Sequence, residues 1–522
     1  REFHLLKESD MISPLRNQAP PYKLPSDIVY FHDWRYVQHG SVNWHTEDGT
    51  RASMWTLDPV PPLRYEPRLL PVGIELKAQR ARRTEPFLRP QMTDELYLFG
   101  GTVIHDEGMY RLWFDCWPSE HLDHPQFQMG NFNHVRYAES DDGESWRFPE
   151  LGLVERNGSK QNNVVYGPPL FGPSGYHGGC VFKDPSAPAA ERYKMLYQGR
   201  FTEEMKEQYL RERSDETDAY LSGRSEWAGL FGAVSPDGLE WTWQPEPLSA
   251  QVSDTHNVCE YDPLLERYVA YCRNWFFHRR GIGRIAAKEF RRFPLSEEVL
   301  WPSPSMAPDE LWYVNGKTRM PGAPDYHVMF PMCWSIRSDK FDFHLATSPD
   351  NVLWNTVPGG PLCEPGDPGA WDGGIVAPGL GLVELPGGRM GIPLAATPVP
   401  HKHPRLAPLG VLAWAWWPMG RLVALEAEVE GAFALQPIRT EKRRLHLNFR
   451  TPPAGSIRVQ LLDGKGHEIA GRGFDDCDWL CGDELDREVT WKGEGDLALP
   501  ENEVLTVCFR MRCAQLFSAR FA

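Results

Sequence analysis

Three segments of the chain are written to one pattern, Ser-x-Asp-x-x-x-Trp, each after a short apolar run: "HVRYAESDDGESW" at 134–146, "LFGAVSPDGLEW" at 230–241 and "FHLATSPDNVLW" at 343–354. An Asp two places after a Ser, in a turn, accepts backbone N–H groups and closes a tight hairpin. A Trp four residues on is large enough to fill the space between one small sheet and the next. Residue types in that order describe the outer hairpin of a repeated β unit. Such a unit cannot bury both of its faces alone and gains its core by packing on its neighbours.

A second repeat lies between these boxes. "GTVIHDEGMYRLWFDCW" (101–117), "GGCVFKDPSAPAAERYKMLYQGR" (178–200), "HNVCEYDPLLERYVAYCRNW" (256–275), "VNGKTRMPGAPDYHVMFPMCW" (314–334) and "GGIVAPGLGLVELPGGRMGIPLA" (373–395) each read strand, turn, strand. The boxes follow the first, second and fourth of them, and "GIGRIAAKEFRRF" after the third is a degenerate copy. Two hairpins per unit and five units predict an all-β chain with a five-bladed β-propeller over residues 86–428. Residues 1–85 are expected to be an N-terminal extension packed on it. From 429 to 522 the chain alternates cleanly between Gly-rich turns, as in "GSIRVQLLDGKG", and predicts a separate β-sandwich. One helix is expected, over 202–216, in "TEEMKEQYLRERSDE".

The balance of charge excludes one class of partner. The chain carries a formal net charge of −16, against the basic face that nucleic acid requires. No segment approaches the roughly 20 apolar residues of a membrane span. The ten Cys residues are scattered through apolar runs, and the Cys477–Cys481 spacing lacks the second pair of a zinc site. Buried reduced thiols, and no signal-peptide core in "REFHLLKESDMISPL", give a cytoplasmic location as the expectation. "GIGRIA" lacks the third glycine of a dinucleotide fingerprint, and no Gly-x-Ser-x-Gly elbow is present, so no cofactor and no serine-hydrolase chemistry are expected. No metal is expected either: His177 and His256 are too scattered to form a ligand set, and "HKHP" at 401–404 reads as a solvated loop. A homo-oligomer remains open. The 20 Trp are more than a core of this size uses, which suits a groove that stacks on sugar rings.

Five hairpin-plus-box units followed by a sandwich resemble the five-bladed-propeller glycosidases of glycoside hydrolase families 32, 43 and 68. "YAESDDGESW", "GSKQNNVV", "VFKDPSAPAAERYKM", "WDGGIVAPG" and "GSIRVQLLDGKG" resemble a family-32-like bacterial group. The resemblance implies cleavage or transfer of a glycosidic bond, in that clan often a furanoside such as a fructoside or arabinoside. The sucrose-hydrolase motif Trp-Met-Asn-Asp-Pro-Asn-Gly is absent; the nearest early acidic segment is "YFHDWRYVQHG", with Asp33. "FKDP" matches the family-32 Arg-Asp-Pro only superficially, because Asp184 follows its strand and enters a turn.

Strand polarity sorts the remaining acids. Asp106, Asp184, Asp262 and Asp325 sit in or beside the inner-hairpin turns, and Asp142, Asp237 and Asp350 in the box turns, all on the structural side. Residues opening the innermost strands face the other way: Asp94 and Glu95, Tyr176 and His177, Asp254 and His256, Asp309 and Glu310, and Asp372. The ends of the second strands add Asp115, Trp117, Arg200, Arg273, Trp275 and Trp334. Glycoside hydrolysis needs two carboxyl groups in different protonation states. Asp254 or Asp372 is the expected nucleophile or base and Glu310 the expected acid, with Asp94, Glu95 and Asp309 as further candidates. Trp117, His177, Arg200, His256, Arg273, Trp275, Trp334, Asp115 and Asp33 are the expected substrate contacts. Glu260, mid-strand, fits either the pore or a turn-side lattice. A non-catalytic carbohydrate-binding propeller, and a phosphorylase, lyase or intramolecular transferase, are the alternatives.

Overall fold

A computed structural model describes residues 15, 18–40, 44–45, 51–52, 71–90, 95–119, 133–404, 408–499 and 503–522. Asp94 lies outside them. The chain is nearly all β and divides into two compact units: Arg1–Arg16, Arg80–Thr356 and Gly360–Met419 form one, and Asn17–Gln79, Val357–Gly359 and Gly420–Ala522 the other.

The first unit holds five antiparallel sheets in chain order. The first is Glu95–Asp106, Met109–Pro118, His134–Ser140 and Val164–Tyr166; the second is His177–Lys183, Tyr193–Arg200, Ala228–Ser235 and Thr242–Trp243. The third is Val258–Asp262, Arg267–Phe276, Arg279–Ala287 and Glu297–Leu300. The fourth is split. Glu310–Val314, Met332–Ser335 and Lys340–Phe343 form one part, and Thr318–Met320, Ala323–Met329, Ala346–Ser348 and Asn355–Thr356 the other. The fifth comprises Ile375–Pro378, Arg389–Thr397 and Val411–Pro418, with Val383–Leu385 beside the second of these, and its outermost strand is Arg82–Arg83, drawn from before the first sheet. Each sheet packs on the next, and the fifth packs on the first.

The boxes explain how the sheets hold. Asp142 Oδ1 accepts from the backbone N–H groups of Glu144 at 2.8 Å and Ser145 at 2.7 Å, and Asp237 repeats this with Leu239 and Glu240. Asp350 does the same with Val352 and Leu353. These bonds draw the Asp142 carboxyl down to about 2. The position after each Asp takes a left-handed backbone, φ 71° at Gly143, 81° at Gly238 and 61° at Asn351, which Gly and Asn tolerate best. Trp241 and Trp354 are buried, and Trp113 of the first sheet donates to the Gly238 carbonyl of the second sheet's box at 2.7 Å. The boxes are structural, as the sequence predicts.

The turn-side acids form a lattice. Buried Asp184 accepts from Tyr268 Oη at 2.6 Å and Ser186 Oγ at 2.6 Å and pairs with Lys194 at 3.2 Å. Glu260 is held by Lys317, by Arg319 at 3.0 Å and by Asn351 at 3.0 Å, so it belongs to this lattice rather than to the pore. Glu260, Asp262 and His327 bring ligand atoms within 4.8 Å of one another, but Lys317 and Arg319 supply the positive charge there.

The helix runs Glu203–Arg213, shorter than expected, because Ser214–Glu216 tightens into a 3-10 turn. Thr202 caps it by accepting from Met205 N at 3.2 Å. No helix among the described residues is long and apolar enough to cross a membrane.

The second unit is built on the 18-residue strand Val504–Phe521, which pairs with Val423–Ala434, Leu445–Arg450 and Ser456–Asp463. Ile28–Tyr30 also pairs with Val504–Phe521, and Glu75–Ala78 pairs with Val423–Ala434. These two pairings place residues 17–79 in the second unit, not on the first as the sequence suggested. They also move the boundary from 428 to 419, ahead of a strand that residue 428 would cut.

Candidate active site

Residues from the first, second, fourth and fifth sheets, and from the turn entering the third, line one pocket in the first unit. Tyr97, Phe99 and Trp117 come from the first sheet, His177 from the second, and Asp254 and Thr255 from the approach to the third. Tyr313, Met332 and Phe341 of the fourth, Ile375 of the fifth and His401 complete it. Its empty space is about 370 Å³ and its walls are largely aromatic.

Asp254 is the carboxylate in this wall. It sits at φ 139°, a backbone region that costs a non-Gly residue about 1–3 kcal/mol and is retained where the surroundings impose it. The surroundings do so here. Ser253 N donates to Gln198 Oε1 at 3.1 Å, Arg273 N donates to Ser253 Oγ at 3.2 Å, and Asn257 Nδ2 donates to the Asp254 carbonyl at 2.9 Å. Gly178 lies so close to Thr255 that a Cβ there would come within 2.5 Å of the Thr255 Cβ, so "YHGG" can carry no side chain at that place.

The Asp254 carboxylate takes two partners. His177 Nε2 lies 2.8 Å from Oδ1, and the Arg273 guanidinium pairs with Oδ2. Arg273 is 3% exposed and its other N–H groups go to the Tyr313 carbonyl, at 3.0 Å, and the Thr255 carbonyl. Burial alone would raise the Asp254 carboxyl, but Arg273 and His177 more than offset it and hold it far below the usual range. The group is an anion at any ordinary pH.

Asp115 is its opposite. It lies two residues before Trp117 on one strand, hence on the same face, one step deeper than the pocket wall. It accepts from Tyr176 Oη at 2.6 Å. Burial pushes its carboxyl up to about 7, against the lowering effects of Tyr176 and His177. His256, also buried, is lowered to about 4, by burial first and then by His177 and Arg273, and neither ring nitrogen has a hydrogen-bond partner among the described residues. It packs on Phe99 at 5.4 Å between ring centres.

A second, more polar pocket with about 890 Å³ of empty space shares His177 and Asp254 with the first. Gln198, Arg200, Tyr220, Arg224, Trp227 and Trp275 are among its walls. Arg280, opposite Trp275 in the sheet, lies over the Trp275, Tyr313 and Trp334 rings at 5.0, 4.9 and 5.3 Å. Trp334 is buried, stacks on Phe341 at 5.7 Å and donates to Asp339 at 3.0 Å, so it backs the aromatic pocket rather than lining it.

Of the expected catalytic residues among the described ones, the structure brings only Asp254 to the pocket. Glu95 is buried in an ion pair with Arg136 inside the first sheet. Asp372 pairs with Arg83 at 2.5 Å, and its backbone carbonyl accepts from Gly366 N at 3.0 Å, so it folds the loop before the fifth sheet. Glu310 accepts from Ala307 N at 2.9 Å, and Asp309 pairs with Arg337 at 3.3 Å; both shape the turn entering the fourth sheet. Asp33 belongs to the second unit, where it pairs with Arg35 at 3.0 Å. Trp117, His177, Arg200, Arg273 and Trp275 are gathered around Asp254, with Asp115 and His256 beneath them. Tyr97, Phe99, Tyr313, Phe341, His401 and Arg280 were missed. The one sequence signal for Arg280 is its place in "WFFHRRG", directly across a two-residue turn from Trp275.

No family model matches the chain, and no curated protein matches it. Among solved structures it is similar to an N-acetylgalactosamine deacetylase from F. plautii, at 13% identity and TM-score 0.43, over 67% of this chain and 96% of that one. It is similar to the Bombyx mori GH32 β-fructofuranosidase at 9% identity and TM-score 0.40, over 84% and 94%. It is also similar to the endo-arabinase from Bacteroides thetaiotaomicron at 12% identity and TM-score 0.37, over 64% and 96%.

Proposed function

We propose that the first unit is a five-bladed β-propeller, the second a β-sandwich, and the protein a carbohydrate-active enzyme that cleaves a glycosidic bond at Asp254. The observation that carries this reading is a pair of carboxyl groups, Asp254 in the pocket wall and Asp115 buried behind it, that lie in opposite electrostatic surroundings. Asp254 is held ionised by Arg273 and His177, and Asp115 is raised to about 7 by burial. Two carboxyls pushed to opposite protonation states are what glycoside cleavage uses: one as nucleophile or base, the other as proton donor. Trp117, Tyr97 and Tyr313 offer the aromatic faces on which a sugar ring stacks. In this reading Arg273 keeps Asp254 charged, His177 fixes its orientation, and Asp115 supplies the proton in place of Glu310. The resemblance in sequence points to a furanoside, a fructoside or arabinoside, as the substrate.

The test is a panel of chromogenic α- and β-furanosides and pyranosides incubated with the full chain at neutral pH. Release of aglycone from at least one supports the reading. Sugars that bind but are never cleaved would leave a carbohydrate-binding protein instead.

A further inference from the structure

The polar pocket beside Asp254 contains charge that the proposed chemistry does not use. Arg200 ends the second strand of the second sheet, and Arg224 lies in the loop after the helix. Neither makes an ion pair or a side-chain hydrogen bond among the described residues; Arg224 lies over the Tyr220 ring at 4.2 Å. Tyr220 in turn stacks on Trp275 at 5.5 Å and 6° between planes. The acids of the lining do not neutralise these guanidinium groups. Asp254 is taken by Arg273 and His177, and Glu226 pairs with neither Arg200 nor Arg224. In a chain with net charge −16, this lining is formally neutral, two arginines against Asp254 and Glu226, and Asp254 is already paired with Arg273. Guanidinium groups present fixed forks of N–H donors that match a planar or tetrahedral oxyanion.

From this arrangement we propose that the polar pocket binds an anionic group of the substrate, the carboxylate of an acidic sugar, on Arg200 and Arg224. The proposal rests on the glycoside reading of Asp254 and names its substrate class. Inorganic phosphate offers the same oxyanion chemistry and is the other source the experiment must separate.

The experiment measures binding by calorimetry and NMR on the full chain at low salt, independently of turnover. The probes are D-galacturonate and D-glucuronate, their methyl esters, and inorganic phosphate. At least one free acid is expected to bind roughly 10- to 100-fold more tightly than its ester, the range of a charge-assisted hydrogen bond. Arg200→Ala should remove that difference, Arg200→Lys should restore part of it, and added salt should weaken it. Unchanged melting temperatures show that the variants are folded. Phosphate binding that is lost in Arg200→Ala, with no preference for the uronates, keeps the oxyanion site and assigns it to phosphate. Esters that bind as well as acids, or no anion whose binding responds to Arg200→Ala, overturn the proposal. An acid-over-ester preference in a protein that cleaves no glycoside would overturn the glycoside reading alone, and cleavage of a neutral glycoside with no acid-over-ester preference would overturn the anion site alone, so the two failures give different results.

Discussion

Replacing Arg273 by Gln isolates the electrostatics of the site. Arg273 is buried, pairs with Asp254 Oδ2 and fills its remaining donors with the Tyr313 and Thr255 carbonyls. Gln keeps a donor but loses the charge, leaving a partly buried carboxylate with His177 as its remaining side-chain partner. Removing one member of a buried ion pair costs about 3–5 kcal/mol. Because Gln retains a hydrogen bond, the lower end, about 3 kcal/mol, is expected here. That same loss raises the Asp254 carboxyl from its depressed value toward the ordinary carboxylate range. The sign follows from linkage. The folded-state value is depressed, so this carboxylate stabilises the fold above its unfolded value of about 4, and the stabilisation fades as pH falls through the folded value. In the wild type that fading lies below the working range. In Arg273→Gln the folded value rises toward the unfolded one, so less of this stabilisation is left to fade. The assays are chemical denaturation across pH 3–8 and kcat/KM against pH on the same samples. The variant is expected to be less stable near neutral pH, with the difference from the wild type narrowing toward pH 3, and to have the acid limb of kcat/KM displaced to higher pH. An acid limb and a denaturation midpoint equal to the wild type's would refute the assignment of Arg273 as the group that keeps Asp254 ionised.

Asp115→Asn removes the raised carboxyl. Turnover should fall about 100- to 10,000-fold, and the wild-type loss of kcat/KM above about pH 7, where Asp115 gives up its proton, should disappear from the residual activity. Glu95→Gln leaves Arg136 buried beside a neutral partner and should cost about 3 kcal/mol in denaturant unfolding. Whatever folded Glu95→Gln protein remains should turn over at the wild-type rate, which separates a structural acid from a catalytic one. Trp117→Ala opens the aromatic wall next to His177, and is expected to raise KM about tenfold through lost stacking, with the alkaline limb of the pH profile unmoved.

The features readable in the sequence are those made by residues near one another in the chain. A box closes on itself: Ser140, Asp142 and Ser145 lie within one turn, so the pattern implies the geometry. The hairpins and their order are local in the same way. The fate of a carboxylate is not local. Glu95, Asp372 and Asp309 open their strands as Asp254 does, and nothing in "TDELYLF", "AWDGG" or "PDELWYV" tells that Arg136, Arg83 and Arg337 wait for them. Asp254 differs because its own carboxylate, paired with Arg273, keeps an edge in the pocket wall, whereas Glu95 is buried with Arg136. Asp115 was legible as a rim residue, but its raised state comes from burial, which no pattern along its own strand announces. Residues 17–79 read as an extension of the first unit because strand pairing with Val504–Phe521 and Val423–Ala434 leaves no trace in short alternating runs.

The most direct measurement is the rate of Asp254→Asn on a glycoside that the wild type cleaves, beside the affinity of both proteins for that glycoside. Asn keeps the shape and the His177 contact but cannot attack or take a proton. Turnover should fall at least a thousandfold with affinity changed by less than tenfold. A variant that still cleaves within tenfold of the wild type would place the chemistry somewhere other than Asp254.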